Sequence, residues 1–261
     1  MCETMNKSRT VCKIISNELL TDQIFEMILE CPEIVNEAKP GQFVNLYCRH
    51  LGRLLPRPIS VCELNKDKGH LHLIYAIMGN GTKEFSTYNA GETIDVMGPL
   101  GNGYNTDTVS DIHLIVGGGV GTPPMVELCK QLKGRKIIVV GFRDNPYLVN
   151  RLKEYGEVYV TTDDGSAGFK GNVVEFLEKK SLKGSIYACG PTPMLIGVQA
   201  YADKYNLDAS LSLEERMGCG FGACVGCVTK IASNNDAGFI YKKVCKDGPV
   251  FNAKEVLFSC N

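Results

Sequence analysis

The sequence predicts an α+β protein of several domains: an antiparallel β unit first, an α/β unit with a parallel sheet in the middle, and a small cysteine-rich unit last. Three observations predict it. Residues 9 to about 100 fall into short strand-like runs broken by Gly- and Pro-bearing turns, the spacing of a barrel or a sandwich. Residues 107 to about 210 alternate strand-like and helical stretches, which implies a parallel sheet with helices on both faces. Residues 211–261 are rich in Cys and Gly and poor in large apolar side chains. The corresponding boundaries are 1–103, 104–210 and 211–261.

In the first part the predicted strands are Thr10–Ser16, Ile24–Glu30, Gln42–Tyr47, Ile59–Leu64, His70–Ala76 and Thr93–Met97. Pro40-Gly41, Gly79-Asn80-Gly81 and Gly98-Pro99-Leu100-Gly101 are the turn signals between them. In the second part Ile112–Val116 is apolar but for His113, as befits a strand buried on both faces. A helix follows to about Leu132, then strands Lys136–Phe142 and Val158–Thr162, a helix Asn172–Lys180, a strand Ser185–Cys189 and a helix Thr192–Tyr205. About fifty residues with so few apolar side chains do not hold a core unaided, so a metal staple suits the last part.

Composition excludes several functions. The 261 residues are 44% apolar and 22% charged, with a net charge of −1, which leaves no basic footprint for nucleic acid. No apolar run approaches the ~18 residues that suggest a membrane span. The N-terminal residues lack the apolar stretch and small-residue cleavage site of an export signal, so a cytoplasmic location is expected. Of the twelve cysteines, Cys2, Cys12, Cys31, Cys48, Cys62, Cys129, Cys189 and Cys260 are scattered and read as small core residues.

The other four form the sharpest signal. Cys219, Cys224 and Cys227 are spaced C-x4-C-x2-C, and Cys245 follows seventeen residues later, the plant-type arrangement for a [2Fe–2S] cluster. Gly218, Gly220, Gly222 and Gly226 let the loop curl and aim backbone N–H groups at sulfur. The alternative is structural zinc, but zinc knuckles usually pair two short Cys elements rather than placing three ligands on one loop.

Gly117-Gly118-Gly119-Val120-Gly121-Thr122-Pro123-Pro124 leaves a buried strand and opens a helix, the context of a nucleotide-binding turn. It is otherwise simply a tight connection. Cys189-Gly190-Pro191 ends another strand, where open α/β sheets bind ligands, or is a buried Cys before a turn. Arg57-Pro58-Ile59-Ser60 offers a phosphate-binding Arg and a Ser hydroxyl, or a surface Arg beside a strand. Gly79-Asn80-Gly81-Thr82 reads as a turn or an anion nest, and Thr161-Thr162-Asp163-Asp164-Gly165-Ser166 as a nucleotide contact or a turn cap. The four histidines show no ligand pattern.

In order, these motifs resemble the ferredoxin–NADP reductase superfamily, with its Arg-x-x-Ser string, Gly-x-Gly-x-x-Pro turn and Cys-Gly-Pro strand end. The segments Glu214–Cys227 and Val244–Phe251 narrow the resemblance to the electron-transfer subunits of class B dihydroorotate dehydrogenases. The resemblance covers nearly the whole chain. It implies an N-terminal β-barrel that binds FAD through Arg57, Pro58, Ile59, Ser60, Ile74, Tyr75, Ala76, Gly81 and Thr82, with Arg57 on the pyrophosphate and Ser60 near the flavin ring. It implies NAD at Gly117, Gly119, Gly121, Thr122, Asp144, Cys189, Gly190 and Pro191, with Cys189 near the nicotinamide, and cluster ligands Cys219, Cys224, Cys227 and Cys245. Gly141-Phe142-Arg143-Asp144 is ambiguous by itself: an acidic residue suits the ribose of NAD and an Arg the phosphate of NADP.

The implied partner is an FMN-containing dihydroorotate dehydrogenase subunit, in a heterotetramer of two of each chain, serving pyrimidine (UMP) synthesis. Electrons then run from FMN through the cluster and FAD to NAD⁺. No acid–base constellation for dihydroorotate is visible in this chain. The alternative is an NAD(P)H–ferredoxin oxidoreductase-type subunit of another redox complex. A small subunit of that kind resembles this chain throughout but has Asp in place of one cluster cysteine.

Overall fold

The computed structural model describes residues 8–108 and 110–258, so Cys2 and Cys260 lie outside the described residues. The first six strands are β1 (Arg9–Thr21), β2 (Ile24–Glu30), β3 (Phe43–Leu46), β4 (Arg57–Asn65), β5 (His70–Ala76) and β6 (Thr93–Leu100). They close into a barrel in the order β1-β2-β5-β4-β3-β6, all neighbours antiparallel. Alternation selects its lining: Cys12 and Ile14, Met27 and Leu29, Val44 and Leu46, Leu71 and Leu73, and Ile94 and Val96 all point inward. In β4 an irregularity between Val61 and Glu63 shifts the inward set to Val61 and Leu64. Closure leaves no open edge.

Two short helices sit on the barrel, α1 (Pro32–Glu37) and α2 (Asn80–Phe85). The second is a difference from the sequence reading: Gly79 caps a helix rather than forming a plain turn, and Phe85 anchors that helix in the barrel core. Cys12 and Cys31 also depart from expectation. They are joined in a disulfide, because β1 and the residue after β2 bring their Cα atoms to 5.6 Å, within bridging range.

The second unit runs β7 (Ile112–Gly118), α3 (Pro123–Gln131), β8 (Arg135–Phe142), α4 (Val149–Lys153), β9 (Glu157–Thr162), β10 (Phe169–Lys170), α5 (Val173–Lys180), β11 (Ser185–Cys189), α6 (Thr192–Tyr205) and β12 (Ala209–Ser212). Its strands are parallel in the order β10-β9-β8-β7-β11-β12. Each central strand divides its side chains between two cores. Leu114, Val116, Ile137, Val139, Ile186 and Ala188 meet α5 and α6, whereas Ile115, Ile138, Val140 and Tyr187 meet α3. Cys62 and Ile74 of the barrel join the α3 side, so that helix is wedged between sheet and barrel.

The last segment supplies β13 (Val228–Ala232), β14 (Phe239–Lys243), α7 (Val244–Asp247), β15 (Val250–Asn252) and β16 (Val256–Leu257). β14, β13 and β16 form a small antiparallel sheet, but β15 pairs antiparallel with β12 and extends the large sheet. Cys227, Ile231, Val244, Cys245, Phe251 and Val256 share one continuous core with Phe43, Leu100 and the α5–α6 side of the sheet. The segment therefore draws its apolar cover from both other units. No helix among the described residues is long and apolar enough to cross a membrane.

Candidate functional site

The barrel places Arg57 through Ser60 at the start of β4, all half-buried. Their ladder runs only to β3, with Leu46 opposite Arg57, Asn45 opposite Pro58 and Phe43 opposite Ser60. Toward β5, pairing begins at Val61 opposite Leu73. Ser60 and the residues before it thus part from Ile74, Tyr75 and Ala76, which pair with β2 instead. The strands splay where a flat ligand needs an opening, and α2 stands beside the gap.

Gly81 touches the Arg57 guanidinium: a Cβ there would lie 2.7 Å from Cζ. Only a residue without a side chain lets that cation lie against the helix backbone. Thr82 turns its hydroxyl back to accept hydrogen bonds from the N–H of Met78 (2.9 Å) and Gly79 (3.3 Å). Tyr75 differs from its neighbours. Its ring is buried between Phe25 and Phe85 and its hydroxyl donates to Asn17 at 2.9 Å, so only its backbone is available to a ligand. Glu84 has no signal in the sequence. It accepts from the N–H groups of Arg49 and His50 and pairs with Arg53, tying the loop before β4 to α2.

The second crevice lies where the parallel sheet changes direction. β7 and β11 are neighbours, Gly117 is opposite Cys189, and their following helices leave to opposite faces. This is the switch point at which open α/β sheets bind ligands. The two turns interlock through missing side chains. A Cβ on Gly121 would lie 2.6 Å from the Gly190 nitrogen, and one on Gly118 would lie 2.5 Å from the Met194 sulfur. Gly119 has φ +50, and a Cβ there would meet nothing within 4 Å. Pro191 precedes α6.

Thr122 is fully buried with its hydroxyl unpartnered and turned back toward Gly117, where a Cβ would lie 3.1 Å from Oγ1. Burial pushes the Cys189 thiol up to about 12, against a hydrogen bond from Ser212, so it stays neutral at ordinary pH. Arg143 and Asp144 are both exposed just past the end of β8. Thr161 and Thr162 are buried, and the Thr162 hydroxyl caps its own turn by donating to the Ala167 carbonyl at 2.9 Å.

The third feature is the loop between β12 and β13 with α7. Gly220 (φ +74) and Gly222 (φ +94) adopt the left-handed conformation that glycine tolerates. The thiols gather as two pairs. Cys219 receives the N–H of Cys224 at 3.4 Å and faces its thiol; Cys227 receives the N–H of Cys245 at 3.5 Å and faces that thiol. Burial alone pushes the Cys219 thiol up, but N–H groups of Cys224, Phe221 and Ala223 outweigh it and draw the thiol down. Among the described residues no three His, Cys, Asp or Glu side chains gather into one group; the thiols stand two and two. A four-thiol set in two pairs, with backbone donors aimed at sulfur, fits a centre of two irons, each needing two thiolates.

Lys243 fastens the loop by donating to the Gly222 carbonyl at 2.7 Å, and Asn102 holds α7 through the carbonyls of Lys246 (3.2 Å) and Asp247 (3.0 Å). Asn45 donates to the Cys219 carbonyl at 2.9 Å. None of these three stands in a recognisable motif.

Residues 12–104 match the oxidoreductase FAD-binding domain, and residues 214–257 match the iron–sulfur cluster binding domain of dihydroorotate dehydrogenase B. The chain is 42% identical over 253 residues to the dihydroorotate dehydrogenase B (NAD(+)) electron transfer subunit of Streptococcus pneumoniae serotype 4, covering 94% of this chain and 99% of that one. It is 41% identical to the protein of the same name from Caldanaerobacter subterraneus subsp. tengcongensis, over 94% of this chain and 97% of the other. Among solved structures it superposes on a chain of the NADH-dependent reduced ferredoxin–NADP oxidoreductase with a TM-score of 0.84 at 30% identity, covering 97% of this chain and 91% of that one. By identity and coverage, the chain belongs to the family of dihydroorotate dehydrogenase B (NAD(+)) electron transfer subunits.

Proposed function

We propose that this chain relays electrons between a dihydroorotate-oxidising partner subunit and NAD⁺, holding FAD in the splayed barrel cleft, NAD(H) at the β7–β11 switch point and a [2Fe–2S] cluster on its four paired thiols. The observation that carries the reading is the pairing of Cys219 with Cys224 and of Cys227 with Cys245 of α7, the first three on a loop held directly to the barrel strand next to Arg57–Ser60. Bound FAD supplies the chemistry that joins two-electron exchange with nicotinamide to one-electron exchange with a cluster.

The residues divide the work. Arg57, laid against Gly81, puts a fixed cation where a pyrophosphate is to be neutralised. Pro58, Ile59 and Ser60, with the backbone of Ile74, Tyr75 and Ala76, line the cleft for a flat ring. Gly117, Gly119, Gly121 and the backbone at Thr122 receive a diphosphate on bare backbone, while Cys189, Gly190 and Pro191 close the crevice as an uncharged wall. Asp144 is the ribose contact in this reading. Each backbone N–H aimed at sulfur favours the thiolate and so favours the metal.

The test is reconstitution. The purified chain shows flavin and iron–sulfur absorption and oxidises NADH with an artificial acceptor, but does not turn over dihydroorotate. Adding an FMN-containing dihydroorotate dehydrogenase subunit from the same cell creates NAD⁺-dependent orotate formation. Dihydroorotate turnover by the chain alone overturns the subunit reading. A second reading, a reductase serving ferredoxin, is favoured by the 0.84 superposition; brisk NADH-driven ferredoxin reduction without any partner selects it.

A further inference from the structure

Among the described residues, Asn45 is the barrel side chain that hydrogen-bonds Cys219, the first cysteine of the loop. It lies in β3, opposite Pro58 on one side and Met97 on the other, so its carboxamide stands on the barrel wall beside the Arg57–Ser60 stretch. It is 0% exposed. Its Nδ2 donates to the Cys219 carbonyl at 2.9 Å across 174 residues of sequence. The next loop residue, Gly220, lies flat on the same carboxamide: a Cβ there would be 2.5 Å from both Nδ2 and Oδ1. Gly220 also has φ +74, so both its conformation and its contact with Asn45 require glycine.

The other half of the amide is unsatisfied. Oδ1 of Asn45 is buried without a hydrogen-bond partner. A buried acceptor left unpaired costs stability, and this one is kept nonetheless. Leucine there would have no acceptor to strand, but it would withdraw the donor from the Cys219 carbonyl, so what the asparagine supplies is that one bond. A half-satisfied amide at this junction points to a requirement for the bond that it does make.

We propose that Asn45 is a positioning residue for electron transfer: its hydrogen bond to the Cys219 carbonyl fixes the first cluster ligand against the flavin-side strands and thereby sets how fast the two redox groups exchange an electron. The inference rests on the cofactor assignment above. The exchange that it governs moves one electron and makes or breaks no bond; what one group loses the other gains. The rate of such an exchange falls as the two groups move apart, so one fixed contact at the junction is consequential.

The experiment compares wild type with Asn45→Leu, which keeps the branched skeleton and drops the donor, and Asn45→Asp, which keeps the shape but replaces the donor with an acceptor. Iron, sulfide and flavin contents are measured first. NADH is then mixed anaerobically, and flavin bleaching and the cluster's EPR signal are followed separately by rapid quench. The cluster rate is referred to the flavin rate of the same preparation, so any change in nicotinamide or flavin handling cancels. The expected result is full iron content with cluster reduction slowed severalfold relative to the flavin. A shift in the midpoint potential, titrated by EPR, accompanies Asn45→Asp. Wild-type relative rates in a cluster-loaded variant overturn the proposal. If one variant loses iron the other decides, and loss of iron from both overturns positioning in favour of a purely structural tether. Wild-type protein reconstituted with iron and sulfide that carries no [2Fe–2S] EPR signal refutes the cofactor assignment instead, independently of either variant.

Discussion

A cysteine in this chain takes its role from its neighbours. Cys129 lies in α3, fully buried among apolar side chains, and burial pushes its thiol up to about 12. Cys219, Cys224, Cys227 and Cys245 instead face one another and backbone N–H groups. Changing any of these four to Ser is therefore expected to abolish or destabilise the cluster, because each iron needs two thiolates, whereas Cys129→Ser leaves iron and sulfide contents unchanged. Unchanged iron in two of the four variants contradicts the ligand set. Nicotinamide choice is decided at the same scale. Asp144 and Arg143 are both exposed beyond β8, and the Asp144 reading predicts higher kcat/KM with NADH than with NADPH. A preference for NADPH of about tenfold, or about 1.4 kcal/mol, refutes it in steady-state kinetics.

Between elements, the barrel and the α/β unit are joined by an ionic clamp around the buried Glu26. Glu26 of β2 accepts from Arg151 of α4 at 2.8 and 3.1 Å and lies 3.0 Å from His72 of β5. Arg151 also lies 3.6 Å from Glu63 of β4, and Lys130 of α3 lies 3.6 Å from Glu63 and 3.7 Å from Glu127. Burial by itself pushes the Glu26 carboxyl up, but the hydrogen bonds and charge of His72 and Arg151 win and hold it at about 2, against an ordinary 4.5. A depressed carboxyl stabilises the fold fully above its unfolded value and loses that contribution as pH falls through its folded value. The clamp is therefore intact above about pH 4.5 and is lost between there and about pH 2, a difference on the order of 3 kcal/mol. Arg151→Met leaves Glu26 buried with less compensation and is expected to destabilise by about 3–5 kcal/mol at pH 7. Thermal unfolding of wild type, Arg151→Met and Glu26→Gln from pH 7 down to pH 3 checks both: the gap between wild type and Glu26→Gln narrows as the pH drops below 4.5. A gap independent of pH contradicts the assignment.

For the molecule as a whole, the cysteine loop is covered on its inner side by the barrel and the large sheet and left open on its outer side. Phe221 is 41% and Val225 71% exposed, between thiols that are themselves half-buried or buried. Apolar side chains flanking a redox loop suit an interface that closes over it. Phe221→Asp is expected to weaken co-elution with the FMN-containing subunit on size exclusion while lowering NADH–dye turnover much less. Equal loss of both activities places Phe221 in the loop's own folding rather than in the contact.

The sequence by itself determined what depends on near neighbours. Short strand-like runs between Gly- and Pro-bearing turns placed the six barrel strands, buried apolar runs placed the parallel strands, and glycine-rich strand ends placed the crevice turns. The C-x4-C-x2-C spacing, with Cys245 after it, set four cysteines apart from the other eight. Each of these signals spans a few residues, within which backbone geometry fixes which side chains share a face. Only the tertiary structure decided which distant segments meet. It bound Asn45 to Cys219, Glu26 to Arg151 and Cys12 to Cys31, turned the Tyr75 ring into the barrel, and sent β15 into the large sheet so that the cysteine-rich segment shares its core. An asparagine in a strand, an arginine on a short helix and two scattered cysteines carry no local mark of such partners. Closing loops of this length is what the whole fold accomplishes, and the contact exists only once barrel, sheet and loop have packed.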